Sequence, residues 1–311
     1  MTMFSVMLAL MLEQVQTKPA GRLTHDGIMQ FINSIERHFN DGQYAHGVLA
    51  WGLAVALPCL LLISLYLGLL WQEPILAFFL AIGILYLTIG FRQFSHNFTE
   101  ILADLRNSDI DGARKQLALW RRISGDRLSG TEVSRLAIET GLVASHRYVF
   151  APVIWFAAIG PVGPLMYRLA QTANDAWGAR HDADIGGFGE FSRRMFWLID
   201  WLPVRLTATA FAIVGNFEDA VHCWRTQAEK WPDPSSGILL STGAGALGVR
   251  LGLPVGNIVG IDVTLEDRPE LGVGDDPDAE FMQSTIGLVW RTLVLVLLML
   301  ALIAVSGWVG D

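Results

Sequence analysis

Charged side chains are scarce in this sequence. Asp, Glu, Lys and Arg make up 17% of its 311 residues, against 52% that are hydrophobic. Soluble domains carry about 25% charge, and a chain with a mean hydropathy of +0.41 has too little polar surface for water. A membrane protein is the first expectation. Cysteine is nearly absent: Cys59 lies inside an apolar run and Cys223 outside one, so no intrachain disulfide framework is available. No Lys or Arg precedes Lys18. The opening MTMFSVMLALML therefore lacks the basic region of a cleaved signal peptide, and it lacks a small-residue cleavage site too. It reads as a retained, short membrane-associated helix over 1–13. Positive net charge is missing as well. The formal charge of −8, concentrated in an acidic surface stretch over 262–280, excludes nucleic acid as a partner. The seven histidines show no zinc-ligand spacing, no bound metal is expected, and no Ser-His-Asp or Cys-His pattern can be argued.

What is present is long apolar runs. Residues 48–71, 75–91 and 286–308 are each close to the ~20 residues that cross a hydrocarbon core of ~30 Å. Only Arg291 interrupts the last, near its end, where it can snorkel, and Trp51, Trp71, Trp290 and Trp308 mark run ends as interfacial aromatics do. QEP alone separates the first two runs, which predicts a tight antiparallel hairpin. The segment 92–147 carries nine basic residues and is the cytoplasmic candidate by the positive-inside rule. Its pattern predicts extramembrane helices, one capped by Ser108 or Asp109 with Ile110, Ala113, Leu117 and Trp120 on one face, another starting at Ser129 or Thr131. Two further apolar segments are broken: 149–169 by Pro152, Gly160, Pro161, Gly163 and Pro164, and 203–215 by Pro203 and Arg205 at its head. Either they are spans kinked by proline, or they are re-entrant elements around a central site. The fold class expected is an all-α, polytopic helical membrane protein, a single membrane-embedded domain with helical cytoplasmic connections.

Within STGAGALGVRLG (241–252), Gly243, Gly245 and Gly248 have the G-x-G-x-x-G spacing of a dinucleotide-binding turn. That motif has meaning only between a strand and a helix. Here WPDPSSGILL is too short and too broken by proline to be a buried strand, and Gly252, Pro254 and Gly256 would stop a following helix. A Rossmann loop is set aside.

Several stretches carry a resemblance instead. AGALGVRLG (244–252), RPELG (268–272), SDIDGARKQL (108–117), VSRLAIE (133–139), VFAPVIW (149–155), Tyr167, Thr172, Gly178, FG at 188–189 and WLPVRLTA (201–208) resemble, in order, the CobD/CbiB family of membrane-bound adenosylcobinamide-phosphate synthases and the related AmpE signalling proteins. The resemblance implies a bacterial inner-membrane location. In the synthases it implies use of ATP and Mg²⁺ to activate a corrinoid carboxyl group and couple it to an amine.

The departures from the synthase pattern are as informative. Its E-N-x-x-D is Val143, Ala144 and Arg147 here. Its N-T-x-D is Gln171, Thr172 and Asn174, with Asp175 one position off. Its paired acids before the P-x-R-L-T segment are Phe196 and Trp197, leaving Asp200, and its N-A-G-W-P-E falls on Ser235 to Leu240. Only Glu139 stays in place. Each lost catalytic group removes ~10²–10⁴-fold in rate. SHRYVFAPVIW and LIDWLPVRL are close to the AmpE pattern. The expectation drawn is a non-catalytic, AmpE-like membrane regulator or sensor. A synthase using Glu139, Asp175 and Asp200, and a membrane scaffold that binds an anionic amphiphile, are the alternatives.

Arg205, Arg250 and Arg147 are the candidate anion-binding residues. Arg205 reads either as an anion contact with Asp200 as its ion partner or as a snorkelling residue. Arg250 reads as a helix cap or an anion ligand, and Arg147 as an anion ligand or an interfacial anchor. Glu139 is expected to form a surface ion pair with Arg135 one turn earlier. The bilayer is the expected partner, joined by an anionic small molecule or amphiphile, and homo-oligomerisation is left open.

Overall fold

The computed structural model describes residues 2–15, 20–121, 128–180, 184–255 and 268–309. Its helices, in chain order, are α1 (Thr2–Val15), α2 (Ala20–Phe39), α3 (Tyr44–Gln72), α4 (Pro74–Thr88), α5 (Phe91–Arg106), α6 (Ile110–Arg121), α7 (Gly130–Ile159), α8 (Val162–Ala173), α9 (Phe188–Val214), α10 (Phe217–Gln227), α11 (Pro234–Leu247) and α12 (Ala279–Val309). Two short strands, β1 (Leu251–Gly252) and β2 (Glu270–Leu271), pair antiparallel with Leu251 opposite Leu271. Single π-helical turns lie within α3 at Gly52–Ala56 and within α7 at His146–Phe150, and a third follows α8 at Asn174–Gly178.

Local chemistry sets the helix starts. Asp109 begins α6, its carboxylate accepting the Gly112 N–H at 2.9 Å, and the predicted face follows, with Ala113 and Leu117 buried. Ser129 begins α7 with a capping box. Its hydroxyl accepts the Glu132 N–H, and the Glu132 carboxylate accepts the Ser129 N–H at 2.7 Å. Asn216 and Asp233 cap α10 and α11 in the same way.

Four helical stretches, Tyr44–Gln72, Gly130–Ile159, Phe188–Val214 and Ala279–Ser306, are long and apolar enough to cross a membrane. The chain is an all-α, multi-pass membrane protein. Leu60, Leu61, Leu198, Leu302 and Ile303 are exposed on these helices, as side chains that face lipid would be. Helix α4 is shorter, at 15 residues. It ends before the apolar run does because Ile89 turns to an extended conformation. The 149–169 segment is divided at Gly160 and Pro161: α7 ends at Ile159 and α8 turns back to pack against it. The segment at 203–215 is the second half of α9, which runs through Pro203.

Inside α7 and α9, Pro152 and Pro203 each strand a carbonyl four residues earlier, and each of these two carbonyls has found another donor. The Tyr148 carbonyl, which Pro152 cannot reach, accepts the Gly90 N–H at 3.1 Å. The Ile199 carbonyl, missed by Pro203, accepts the Trp155 indole N–H at 3.2 Å. In an apolar environment this substitution of donors is what allows a helix to continue past proline.

The chain divides into two compact units, one of residues 1–91, 148–203 and 300–311, the other of 92–147 and 204–299. The first is built on Ile32, Ala54, Tyr167, Trp177, Phe188 and Phe196, all buried in one cluster. In the second, α10 and α11 pack so closely that a Cβ on Gly245 would lie 2.5 Å from the Asp219 carbonyl oxygen. This contact explains the glycine motif. Gly243 and Gly245 sit inside helix α11 against Leu142 and Asp219, and Gly248 ends the helix in the left-handed conformation. Of the acidic stretch, 262–267 lies outside the described residues.

Candidate functional site

The densest buried charge among the described residues lies in the second unit, around Glu139. Helix α7 carries Arg135 and Glu139 one turn apart, and both are buried. The segment from Gly248 to Leu253 passes over this face and returns as Arg268 to Asp276. Its course is fixed by the β1–β2 pair and by Gln227 at the end of α10. The Gln227 amide oxygen accepts the Gly272 N–H at 2.6 Å and its NH₂ donates to the Gly272 carbonyl at 3.2 Å.

This segment brings partners to both α7 side chains. The Glu139 carboxylate accepts the Gly252 N–H at 2.9 Å, forms an ion pair with Arg268, and lies 3.8 Å from the Arg121 guanidinium. Gly252 has φ +72°, and a Cβ there would fall 1.9 Å from the Pro269 carbonyl oxygen. Only glycine lets the backbone approach Glu139 at this point. Arg268 is buried and lies over the Trp231 ring, 5.2 Å from its centroid. Arg135 pairs with Asp276 at 3.5 Å. Arg250 pairs with Asp276 at 3.1 Å and approaches Glu270 at 3.9 Å.

The expected surface pair between Arg135 and Glu139 is thus corrected. The face they share is covered by residues 248–253 and 268–276, and each side chain takes its partner of opposite charge from there or from α6.

Of the other candidates, Arg147 and Arg205 are half-buried in the same unit, on α7 and α9. Asp200 is buried in the first unit, where it accepts the Tyr167 hydroxyl at 2.8 Å. Asp175 is exposed on the π turn after α8. Among the described residues no three His, Cys, Asp or Glu side chains gather as metal ligands would. Sequence reasoning missed Arg121, Arg268, Trp231 and Asp276. Arg268 stood in the RPELG stretch, whose family-like spelling was the one signal available.

Comparison with known proteins shows the family. The family model described as CobD/Cbib protein matches residues 6–305. A protein of Stutzerimonas stutzeri named cobalamin biosynthesis protein CobD is 34% identical across 98% of this chain and 97% of its own. Proteins of the same name from Chromobacterium violaceum and Mycobacterium tuberculosis are 32% and 29% identical, over 70% and 56% of this chain and 68% and 55% of theirs. No solved structure matches significantly. These relatives overturn the expectation of a non-catalytic, AmpE-like regulator, because similarity over the whole length runs to proteins named for a biosynthetic pathway. The chain belongs to the CobD/CbiB family.

Proposed function

We propose that this protein is an enzyme of cobalamin biosynthesis, an adenosylcobinamide-phosphate synthase of the bacterial inner membrane. It would use ATP to activate a carboxyl group of a corrinoid and pass it to the amine of an amino-alcohol phosphate. The observation that carries this reading is a convergence. Three stretches that resemble the synthases, VSRLAIE, AGALGVRLG and RPELG, are far apart in sequence. They supply Arg135 and Glu139, Arg250 and Gly252, and Arg268 to one buried cluster.

The chemistry fits the residues present. Two substrates of such a ligase carry phosphate, and planar guanidinium forks suit phosphate oxygens. Glu139, held by a backbone amide and flanked by Arg268 and Arg121, fixes the positions of those guanidiniums. Magnesium is assigned to the nucleotide, whose phosphates and waters supply most of its ligands. We place no magnesium cage on Glu139, Asp175 and Asp200. The amine attacks the activated carbonyl carbon, the activating group leaves, and the nitrogen gives up a proton as the amide forms.

The test is direct. The purified protein in detergent is incubated with MgATP, a corrinoid acid and an amino-alcohol phosphate, and the amide is sought by mass spectrometry. ATP-dependent amide is the expected result. Its absence from folded, corrinoid-binding protein would overturn the assignment.

A further inference from the structure

We infer that Arg135, Arg250 and Arg268 form a binding site for a phosphate group, and that the Asp276 carboxylate occupies the anion's place until the ligand displaces it. Burial in the cluster is unequal. The Arg135 and Arg268 side chains are 8% and 3% exposed, and the carboxylate buried to the same degree beside them is Glu139, at 5%. Asp276 and Glu270, the other acids of the cluster, are half exposed. Positive charge therefore exceeds negative charge in the buried part of the site.

The donors tell the same story. The Nε atoms of Arg135, Arg250 and Arg268, and Nη1 of Arg268, are buried without a hydrogen-bond acceptor. Buried donors of a charged group are costly to leave unmade, and together they face more acceptor sites than one carboxylate offers. A phosphate group brings three oxygens and up to two negative charges, which matches forks carried by α7, by the residue before β1 and by the stretch before β2.

Asp276 marks the door. It bridges Arg135 and Arg250 from the solvent side, so a phosphate entering there exchanges one exposed acid for a more highly charged anion. Glu139 lies behind, bound to the Gly252 N–H and Arg268, and stays as the fixed counter-charge.

The choice of phosphate-bearing ligands rests on the ligase reading, but the binding can be measured without turnover. Full-length protein in nanodiscs is titrated with ATP and, separately, with an amino-alcohol phosphate. Parent, Arg250→Gln, Asp276→Asn and, as an acid of the other unit, Glu190→Gln are compared by calorimetry. Arg250→Gln is expected to weaken one of the two ligands at least tenfold, and the ligand affected identifies whose phosphate the site takes. Asp276→Asn is expected to tighten the same ligand several-fold, a gain that a merely structural ion pair would not give. Glu190→Gln should leave it unchanged. Equal affinities across the four proteins, or no binding of either ligand to the parent, would overturn the site. The two proposals fail separately. Arg250-dependent binding without amide formation removes the ligase reading alone. Amide formation with unchanged KM for both ligands in Arg250→Gln removes the phosphate site alone.

Discussion

Replacing Glu139 by alanine tests whether the cluster is organised around that carboxylate. The Arg268 side chain is 3% exposed and would lose its counter-ion without access to water. Breaking a buried pair by removing one partner costs about 3–5 kcal/mol. The Gly252 N–H, 2.9 Å from the carboxylate, would lose its acceptor as well. An unmade buried hydrogen bond alone costs about 1–3 kcal/mol. The two groups share one partner and their costs do not add fully, so the upper end of the first range, about 5 kcal/mol, is expected. The assay is unfolding in mixed micelles of dodecyl maltoside and sodium dodecyl sulfate, followed by tryptophan fluorescence. Glu190→Ala serves as reference, because Glu190 pairs with Arg194 at the surface one helical turn away, where such pairs contribute about 0–1 kcal/mol. A second variant, Glu139→Ala with Arg268→Met, removes both charges and is expected to recover much of the loss. If Glu139→Ala costs no more than Glu190→Ala, the carboxylate does not organise the cluster and the reasoning fails.

Three further outcomes follow from the packing. Gly245→Ala pushes a methyl group against the Asp219 backbone and should cost at least about 1–3 kcal/mol. Gly287→Ala on α12, whose Cβ meets only the Arg291 side chain at 3.9 Å, should gain about 0.5–1 kcal/mol; equal effects in the same unfolding assay would refute the close-packing account. Trp155→Phe removes the donor to the Ile199 carbonyl and should cost about 1–3 kcal/mol. In a Pro203→Ala background, where a backbone N–H is restored, that cost should shrink, and strict additivity would count against the compensation. Burial pushes the Cys223 thiol up, and Asp219 adds to the rise. Native protein should therefore react with iodoacetamide at Cys223 far more slowly at pH 7.5 than a free thiol does, and faster as pH rises. A rate near the unfolded value at pH 7.5 would show that the thiol is neither buried nor shifted.

Helix identity was legible wherever the signal was local. Apolar length marked α3 and α12, and side-chain caps marked the starts of α6 and α7, since both effects act within a few residues. Helix interruption was less legible. Pro203 looks like a helix start in one dimension, because nothing in the sequence says that Trp155 will take over the stranded Ile199 carbonyl. Gly160 and Pro161, in contrast, have no such rescue and do reverse the chain. The site was the hardest part. Glu139 and Arg250 stood out as ionisable residues in apolar surroundings. Their true partners, Arg268 and Asp276, come from more than 100 residues beyond Glu139, and one of the two legs of that loop is read only through its family likeness.

Two of the positions at which the synthase pattern carries acids have become packing positions here. The Phe196 ring packs against Tyr167 with centroids 5.7 Å apart, and Leu240 is buried on α11. Burying a carboxylate at such places without a partner is costly, so the apolar replacements stabilise the helices on which they stand. The charge around Glu139 is dominated by guanidinium groups, which attract phosphate directly. A ligase must neutralise a polyphosphate while it activates a carboxyl group. Carboxylates do this through bound cations, whereas arginines do it with their own charge. In the phosphate site inferred above, the demand for specificity would fall on the spacing of Arg135, Arg250 and Arg268. The Glu139 carboxylate ties two of the three together, since it accepts the N–H of Gly252, two residues after Arg250, and pairs with Arg268.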